Sequence, residues 1–471
     1  MSTPPSSTET QSSKRVLVVT PYWPPVNRVG VWRPLRICRY LDEWGWTPVV
    51  CSPDPQDVFQ YMPTLDQSFS VPDLEVIRPR QSIASMTLSR SLGELSRGLD
   101  QWIDTSPVSH LKVAQLWTKY QGGQVLEKIL NRLIRDTLLP DQMAEWGLKM
   151  ARLFKEQKTD VDIVWATGGP FGMLVAGALI ARSLKVPYVL DYRDGWTGFL
   201  PKRSSPLAAP PFVLQHIERL LVKHAHGIGF INQACMDTYR AFFGQPQGRN
   251  WKVIPNGFDP IDLGNLPASQ FECPTLVYAG NCYDSRSFNP VLEALSLIEK
   301  EDQDQHHTPQ KNEETNVLNF RIRYYGQLDP LAQKTLAARS TPLPRFTHYN
   351  RIPSDEVGAH LKGASGLILI IGRTHQEALS AKVFDYLAAG RPILGIGPPR
   401  SAAQRLIEDH QVGLWVDHDD IQGIKEALYS FAQEEIAAPA FENTQKFHAR
   451  SLSRSVAELL NSCIKEDSEL R

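Results

Sequence analysis

The sequence has few cysteines, no long apolar run and almost no net charge. Its six cysteines include no CxxC pair and no grouping with histidine that suits a metal. This pattern indicates reduced thiols in a cytoplasmic protein without structural zinc. No stretch approaches the roughly 18 apolar residues that a membrane span needs. A formal net charge of -1 gives no sign of a nucleic-acid partner. Residues 1–14 lack the apolar core of a signal peptide and are predicted to form a disordered tail.

Short apolar runs alternate with longer amphipathic segments along almost the whole chain. Runs such as RVLVVTP at 15–21 and GLILIIG at 366–372 suit strands that are buried on both faces of a parallel sheet. The alternation predicts an α/β protein with two doubly wound domains, over 15–260 and 270–440, joined by a linker rich in Pro, Gly and Asn. C-terminal helices over 441–471 could return to the N-terminal domain.

A basic segment with three tryptophans interrupts this alternation and is predicted to be a helical insertion at about 80–155. From Arg78 to Lys155 the sequence has 12 Lys or Arg against 7 Asp or Glu. Such a surface can lie on an anionic membrane face, or it can form a helical cap whose tryptophans pack into the first domain. The tryptophans are Trp102, Trp117 and Trp146.

The loop after the first predicted strand contains a candidate phosphate-binding group, because ligands of open parallel sheets bind beyond the carboxyl ends of the strands. Gly30 permits a close backbone approach there, and three arginines supply positive charge. The arginines are Arg28, Arg33 and Arg36. The loop lacks the GxGxxG pattern and an evident downstream acid, which disfavours a nicotinamide dehydrogenase.

A charged cluster follows the fifth predicted strand, in the stretch LDYRDGW. Asp191, Arg193 and Asp194 stand where the sheet would open to a ligand. The alternative is that an Asp and Arg pair ties two loops together.

The stretch EALSAKVFDYLAAGRPIL at 377–394 predicts an anion site at a helix N-terminus. Glu377 is expected in the loop after a strand, and Ser380 can cap a helix that ends at Gly390. The amide groups of Leu379, Ser380 and Ala381 would then point out of the helix and attract an anion such as a diphosphate.

Two charged residues follow within the same helix. Lys382 lies in the first turn, where a cation opposes the helix dipole by about 0.3–1 kcal/mol unless an anion is bound. Asp385 shares a helix face with Lys382. The alternative for the two acids is an ordinary loop acid, Glu377, and a solvated aspartate without any ligand.

Together these stretches resemble the retaining glycosyltransferases of family 4 over nearly the whole chain. The resemblance rests on VTPYWPPVNRVGVWRPLRICRYL, LDYRDGWT, VIPNGFD, YAGNCYDSR and EALSAKVFDYLAAGRPIL. It implies the GT-B fold, in which two Rossmann-like domains face each other across a cleft. It also implies transfer of a sugar from a nucleotide-sugar donor to an acceptor hydroxyl with retention, in polysaccharide or glycolipid biosynthesis.

The resemblance assigns roles to residues of the second domain. The family signature is a Glu, seven residues and a second Glu, which Glu377 and Asp385 match with Asp in the second place. Glu377 would contact the donor sugar as a catalytic residue, Asp385 would hold the ribose hydroxyls, and the amides of residues 379–381 would hold the diphosphate.

The cations of the donor site depart from the family pattern. Asn281 follows Gly280, the glycine that opens the second domain, where the family usually has an arginine. The resemblance therefore leaves Arg286 and Lys382 as the charge partners of the leaving group. A base pocket is expected near Arg351 and Ile352.

On the acceptor side, the histidine that is frequent in the family is missing. Arg193 and Asp194 stand in its place as predicted catalytic residues, which resembles a subgroup with a D-x-R-D motif. No DxD-like carboxylate cluster is recognised at a strand end, so no metal cofactor is expected.

The expected partners are a nucleotide-sugar donor and a lipid-linked or polysaccharide acceptor, in the cytoplasm or on the cytoplasmic membrane face. The alternatives are a nucleotide-sugar epimerase of the same fold and a catalytically inactive GT-B-like binding subunit.

Overall fold

The chain forms two compact units. The computed structural model describes residues 13–55, 69–79, 141–157, 159–197, 211–244, 249–283, 285–306, 318–374 and 379–470. One unit comprises residues 1–67, 71–255 and 452–471, and the other comprises 68–70 and 256–451. Within the described residues, no helix is long and apolar enough to cross a bilayer.

The first unit is built on a seven-stranded parallel sheet with the order β3-β2-β1-β4-β5-β6-β7. Its strands are β1 (Lys14–Val19), β2 (Trp46–Cys51), β3 (Glu75–Ile77), β4 (Ile163–Thr167), β5 (Tyr188–Tyr192), β6 (Gly227–Phe230) and β7 (Asn250–Val253). Its helices are α1 (Trp32–Cys38), α2 (Gln142–Gln157), α3 (Gly172–Leu184), α4 (Pro211–His224) and α5 (Gln233–Phe243).

The second unit is built on a six-stranded parallel sheet with the order β10-β9-β8-β11-β12-β13. Its strands are β8 (Thr275–Ala279), β9 (Arg321–Tyr325), β10 (Phe346–Tyr349), β11 (Gly366–Ile370), β12 (Ile393–Gly397) and β13 (Gly413–Asp417). Its helices are α6 (Asn289–His306), α7 (Pro330–Ala337), α8 (Ser354–Gly363), α9 (Ala381–Ala389), α10 (Ala402–Asp409), α11 (Ile421–Ala432) and α12 (Phe441–Thr444).

Both sheets are doubly wound, as the apolar runs predict. Every residue of β4, β5, β11 and β12 is buried, because helices cover both faces of each sheet. The strand order reverses between β1 and β4 in the first unit and between β8 and β11 in the second. Ligands of open α/β sheets bind at such reversals, beyond the carboxyl ends of the strands.

The last helix, α13 (Ala449–Leu470), packs mainly on the first unit. Ser453 is fully buried and donates a hydrogen bond to the Ile37 carbonyl at 3.0 Å. A Cβ on Gly227 of β6 would lie 2.6 Å from Cys463 Sγ, so only glycine allows the helix this close to the strand. Residues 441–451, which precede most of this helix, belong to the second unit.

The predicted helical insertion lies largely outside the described residues, as do Trp102 and Trp117. Its described end is α2, which packs on α3 so closely that a Cβ on Gly147 would lie 2.4 Å from the Ala176 Cα. Trp146 is 1% exposed within the core, so this tryptophan has the packing role of a cap. Residues 1–12 of the predicted tail also lie outside the described residues. Lys14, the last residue of the predicted tail, is the first residue of β1.

Candidate functional site: the β8–β11 crevice

A crevice forms where the second sheet reverses its order, because β8 and β11 pair only near their starts. Their register covers Gly366 with Leu276 and Leu367 with Val277. Beyond this point the Tyr386 hydroxyl of α9 lies between the strands. It accepts from the backbone N–H of β8 residue Ala279 at 3.4 Å and donates to the Ile368 carbonyl at 3.0 Å. Helix α9 is thereby fixed over the carboxyl ends of the two central strands.

Lys382, in the first turn of α9, reaches into this crevice. Its Nζ donates to the Tyr278 hydroxyl at 2.8 Å and lies 4.2 Å from the centroid of that ring. A Cβ on Gly280 would lie 2.4 Å from the same Nζ, and Gly280 has a φ of +126°. The backbone conformation therefore requires glycine at position 280, and any larger residue there would also displace the end of the Lys382 side chain.

The amine of Lys382 is held in an unfavourable environment. Burial lowers its pKa from 10.5 to about 8; Cys282 and Asp385 raise the pKa and Arg286 lowers it, each by a smaller amount. At pH 7 the amine is still protonated by about ten to one. A buried cation at a helix N-terminus, close to a second cation, is a setting that a bound anion would relieve.

Arg286 lies close enough to Lys382 for its charge to add a smaller lowering of the lysine pKa to the main effect of burial. Its guanidinium donates to the Tyr283 hydroxyl at 3.2 Å and stacks 5.1 Å from that ring. A Cβ on Gly372, after β11, would lie 3.2 Å from the Arg286 Cγ, which places the arginine at the same sheet edge. The structure therefore brings together the two cations that the sequence assigns to the leaving group.

Asn281, which stands where the family usually has an arginine, ties two loops together. Its Oδ1 accepts from the Gln327 N–H at 2.9 Å, and the N–H of Cys282 donates to the Gln327 carbonyl at 3.0 Å. Gly326 has a φ of +134°, and a Cβ there would lie 2.3 Å from the Gly280 carbonyl oxygen. The loops after β8 and β9 are thus locked, and the cation beside Gly280 comes from α9 instead.

The predicted helix of the 377–394 stretch is confirmed in its bounds. Ser380 occupies the N-cap position, and Gly390 ends the helix in a left-handed conformation with a φ of 64°. The Ser380 side chain makes no capping hydrogen bond, contrary to the predicted cap. Leu379 and Ser380 are half-buried and Ala381 is exposed, so the first amides of α9 lie at the surface of the crevice.

The remaining residues that were predicted to bind the donor lie at different distances from Lys382, and one lies outside the described residues. Asp385 is half-buried one turn after Lys382 and raises the pKa of that lysine. Glu377 lies outside the described residues, within the gap 375–378. Arg351 is exposed and Ile352 half-buried just after β10, two strands from β8 at the same sheet edge.

A carboxylate cluster that the sequence reasoning overlooked follows β13. Asp417, His418 and Asp419 form a DxD at a strand end, with their ligand atoms within 4.8 Å of one another, so the expectation of no such cluster is wrong. Asp419 is already paired: Arg373 donates to its Oδ2 at 2.9 Å and also to its Oδ1. This hydrogen bonding lowers the pKa of Asp419. Asp419 is exposed, and exposed acidic groups are common in proteins without a bound metal, so the cluster alone does not indicate a metal site.

In the first unit, Arg33 is a buried structural cation. Its Nε donates to Asp191 Oδ2 at 2.8 Å and its Nη2 to Asp191 Oδ1 at 2.6 Å. Further bonds reach the carbonyls of Ile254 and Pro255 at 2.8 and 2.7 Å. The predicted contribution of Arg33 to a phosphate loop is therefore wrong, because burial against a carboxylate uses its charge.

Two other members of that predicted group, Arg36 and Gly30, are also in contact with the protein itself. Arg36 is 7% exposed and stacks 5.2 Å from the Trp32 ring, whereas Arg28 is exposed. A Cβ on Gly30 would lie 2.6 Å from the Arg193 Nη1, so the group that approaches this glycine closely is a side chain of the protein.

Arg193 holds three loop carbonyls. It donates from Nη1 to Gly30 at 2.7 Å, from Nε to Gly168 at 2.5 Å and from Nη2 to Gly169 at 2.5 Å. Burial lowers its pKa, and Asp191 counters this effect. With all three nitrogens engaged, Arg193 has the geometry of a residue that ties the loops after β1 and β4 to the end of β5.

Asp194 is the acid of this cluster that faces solvent. Asp194 is exposed as a whole residue. Partial burial of its carboxyl nevertheless raises the pKa of Asp194, and the charge of Arg193 lowers that pKa by a smaller amount. Asp191 is fully buried, and besides Arg33 it accepts from the Thr167 hydroxyl at 2.8 Å. Of the two aspartates in LDYRDGW, only Asp194 can therefore meet a ligand without breaking a buried pair.

A buried carboxyl anchors the loop that follows Asp194. Glu218 of α4 is 0% exposed and accepts from the Thr197 N–H at 3.0 Å and the Tyr239 hydroxyl at 2.5 Å. Burial raises its pKa. The sequence carried a signal for this role, because Glu218 falls among the apolar residues Leu214 and Leu221 at helical spacing.

Comparison with known proteins agrees with this architecture. Residues 30–257 match the family model described as a glycosyl transferase 4-like domain. A sequence search of curated proteins finds no significant match.

Solved structures that resemble the chain over almost its whole length include the following two. One is the lipopolysaccharide outer core galactosyltransferase WaaB in its apo form, with 9% identity, coverage of 95% of this chain and 99% of that chain, and a TM-score of 0.51. The other is HepE of Anabaena in complex with UDP-glucose, with 13% identity, the same coverages and a TM-score of 0.50. At such identities the likeness shows the fold, and the predicted GT-B fold of two Rossmann-like domains is confirmed.

Proposed function

We propose that the protein is a retaining glycosyltransferase that moves a sugar from a nucleotide-sugar donor to an acceptor hydroxyl. The observation that carries this proposal is the buried Lys382 amine beside Gly280, where the second sheet reverses its order. The glycosyl transferase 4-like domain over residues 30–257 supports the same reaction class. HepE of Anabaena, which shares the fold, was captured with UDP-glucose.

In this proposal the β8–β11 crevice holds the donor diphosphate. Lys382 and Arg286 supply positive charge, and the first amides of α9 supply hydrogen-bond donors. These groups are fixed before the reaction and oppose the charge that develops as the nucleoside diphosphate leaves. Asp385 holds the ribose hydroxyls, Glu377 contacts the donor sugar, and Arg351 with Ile352 borders the base pocket.

On the acceptor side, Asp194 is the group of the D-x-R-D motif that meets the substrate. Its solvent exposure and raised pKa support a role in contact with an acceptor hydroxyl. Arg193 acts through the loops that it ties, and Gly30 leaves room for that arginine. We assign both as positioning residues.

The pathway is proposed to be polysaccharide or glycolipid biosynthesis, with a lipid-linked or polysaccharide acceptor on the cytoplasmic side. No metal cofactor is proposed, because two fixed cations can take the place of a divalent ion at the diphosphate.

The test is a transfer assay with a panel of nucleotide sugars and candidate acceptors, read by NMR for the configuration of the new glycosidic bond. We expect donor-dependent transfer with retention, and loss of transfer in Arg286→Ala. Conversion of a nucleotide sugar without acceptor would indicate an epimerase instead. Nucleotide binding without any turnover across the panel would indicate a binding subunit.

A further inference from the structure

Helix α4 (Pro211–His224) exposes a face that mixes large apolar and basic side chains. Phe212 is 72% exposed and Leu220 45% exposed. We name this face the α4 stripe, and it consists of Phe212, His216, Arg219, Leu220, Lys223 and His224, all exposed.

The stripe is a single continuous face of the helix. At 100° per residue its six members fall within about 140° of the circumference. The buried residues Leu214, Glu218, Leu221 and Val222 occupy the opposite side. From Phe212 to His224 the stripe runs for about 18 Å along the helix. One side of the helix therefore packs against the first unit, and the α4 stripe on the other side is accessible to a partner.

The charge of the stripe has one sign only. The helix contains one acid, Glu218, which is fully buried and hydrogen-bonded to Thr197 and Tyr239. Within the part of the chain that the structure describes, neither Arg219 nor Lys223 has an ion-pair partner on the protein. The stripe thus presents cations beside apolar side chains with no exposed acid among them.

We propose that the α4 stripe docks the first unit on an anionic lipid surface. A basic face with an exposed aromatic ring lets a helix lie in the interface plane, with the ring among the acyl chains and the cations at the lipid headgroups. Charge complementarity selects this occupant, because a protein partner would need a matching acidic groove whereas any anionic bilayer offers a flat field of negative charge. The docking does not depend on the reaction proposed above.

The experiment is co-sedimentation of the full chain with vesicles of phosphatidylcholine alone and with vesicles that also contain phosphatidylglycerol. The variants are Arg219→Ala with Lys223→Ala, and separately Phe212→Ala. The controls are Lys300→Ala with Lys334→Ala, two exposed lysines of the second unit, and Phe441→Ala, which removes another exposed phenylalanine. Circular dichroism verifies that each variant is folded.

We expect binding to anionic vesicles only, weakened about 10- to 30-fold without the two cations and about 10-fold without Phe212. The control variants should bind like the wild type. Failure of the wild type to bind anionic vesicles overturns the proposal, and so does equal binding by the stripe and control variants. Self-association that Phe212→Ala abolishes, without vesicle binding, would assign the stripe to a protein partner and also overturn the proposal.

Discussion

Replacing Lys382 with methionine should make the protein more stable and its nucleotide binding weaker. The pKa of Lys382 falls from 10.5 to about 8 on folding, which corresponds to about 3 kcal/mol of destabilisation at 1.36 kcal/mol per pKa unit. Methionine removes this penalty but also removes the hydrogen bond to Tyr278, a loss of about 1 kcal/mol. A net gain of about 1–2 kcal/mol in the free energy of unfolding is expected at pH 7.

The stability advantage of Lys382→Met over the wild type should decrease as the pH rises. Because the folded protein binds this proton less tightly than the unfolded chain, wild-type stability rises as the pH goes from about 8 towards 10.5. The advantage of Lys382→Met should therefore be complete below about pH 8 and lost near pH 10.5. Urea unfolding at pH 7 and pH 10.5 measures both values.

The same variant should bind nucleoside diphosphates about 10- to 100-fold more weakly, since a charge-assisted hydrogen bond contributes about 1.5–3 kcal/mol. Lys425→Met is the matched control: Lys425 is 8% exposed and pairs with Glu301 at 2.6 Å. That variant should lose stability and keep nucleotide binding. A less stable Lys382→Met at pH 7, or one with unchanged binding, would refute the reasoning.

Three further substitutions test two residues beside Lys382 and the buried ion pair of the first unit. Gly280→Ala should lower the free energy of unfolding by about 1–3 kcal/mol, because residue 280 has a φ of +126°. It should also abolish nucleotide binding, because the new Cβ displaces Lys382. Thermal unfolding measures the first effect and ligand titration the second. Tyr278→Phe should raise KM for the donor about 3- to 10-fold and leave kcat within twofold, because the ring stays while the hydroxyl acceptor of the lysine is lost; an unchanged KM contradicts it. Asp191→Asn should destabilise by about 3–5 kcal/mol in urea unfolding because it leaves a buried guanidinium uncompensated, whereas Asp237→Asn, at an exposed pair, should change stability by less than about 1 kcal/mol.

In the second unit, the structure could be predicted where it depends on residues that are close together in the sequence. Ser380 and Gly390 bound a helix that follows a buried strand, and these signals fix the position of Lys382 in its first turn. The partners of Lys382 were not predictable, because Tyr278 lies 104 residues earlier. The same holds for Asn281, whose bond to Gln327 joins loops 46 residues apart.

Charged residues of the first unit were harder to interpret for the same physical reason. Arg33 follows a strand and precedes a helix, which suits a phosphate site as well as a buried pair. Only its distance of 2.6 Å to Asp191, 158 residues away, decides between them. Likewise, Asp419 pairs with Arg373, which lies 46 residues earlier, so a sequence window around the DxD does not show this ion pair.

Proton uptake on nucleotide binding tests the central claim most directly. If Lys382 pairs with a diphosphate, its pKa of about 8 rises on binding, so about half a proton is taken up at pH 8. Calorimetric titration of the preferred nucleoside diphosphate in buffers of different ionisation enthalpy should show this uptake in the wild type and none in Lys382→Met. Binding without linked proton uptake, or the same uptake in both proteins, would contradict a diphosphate site at this lysine.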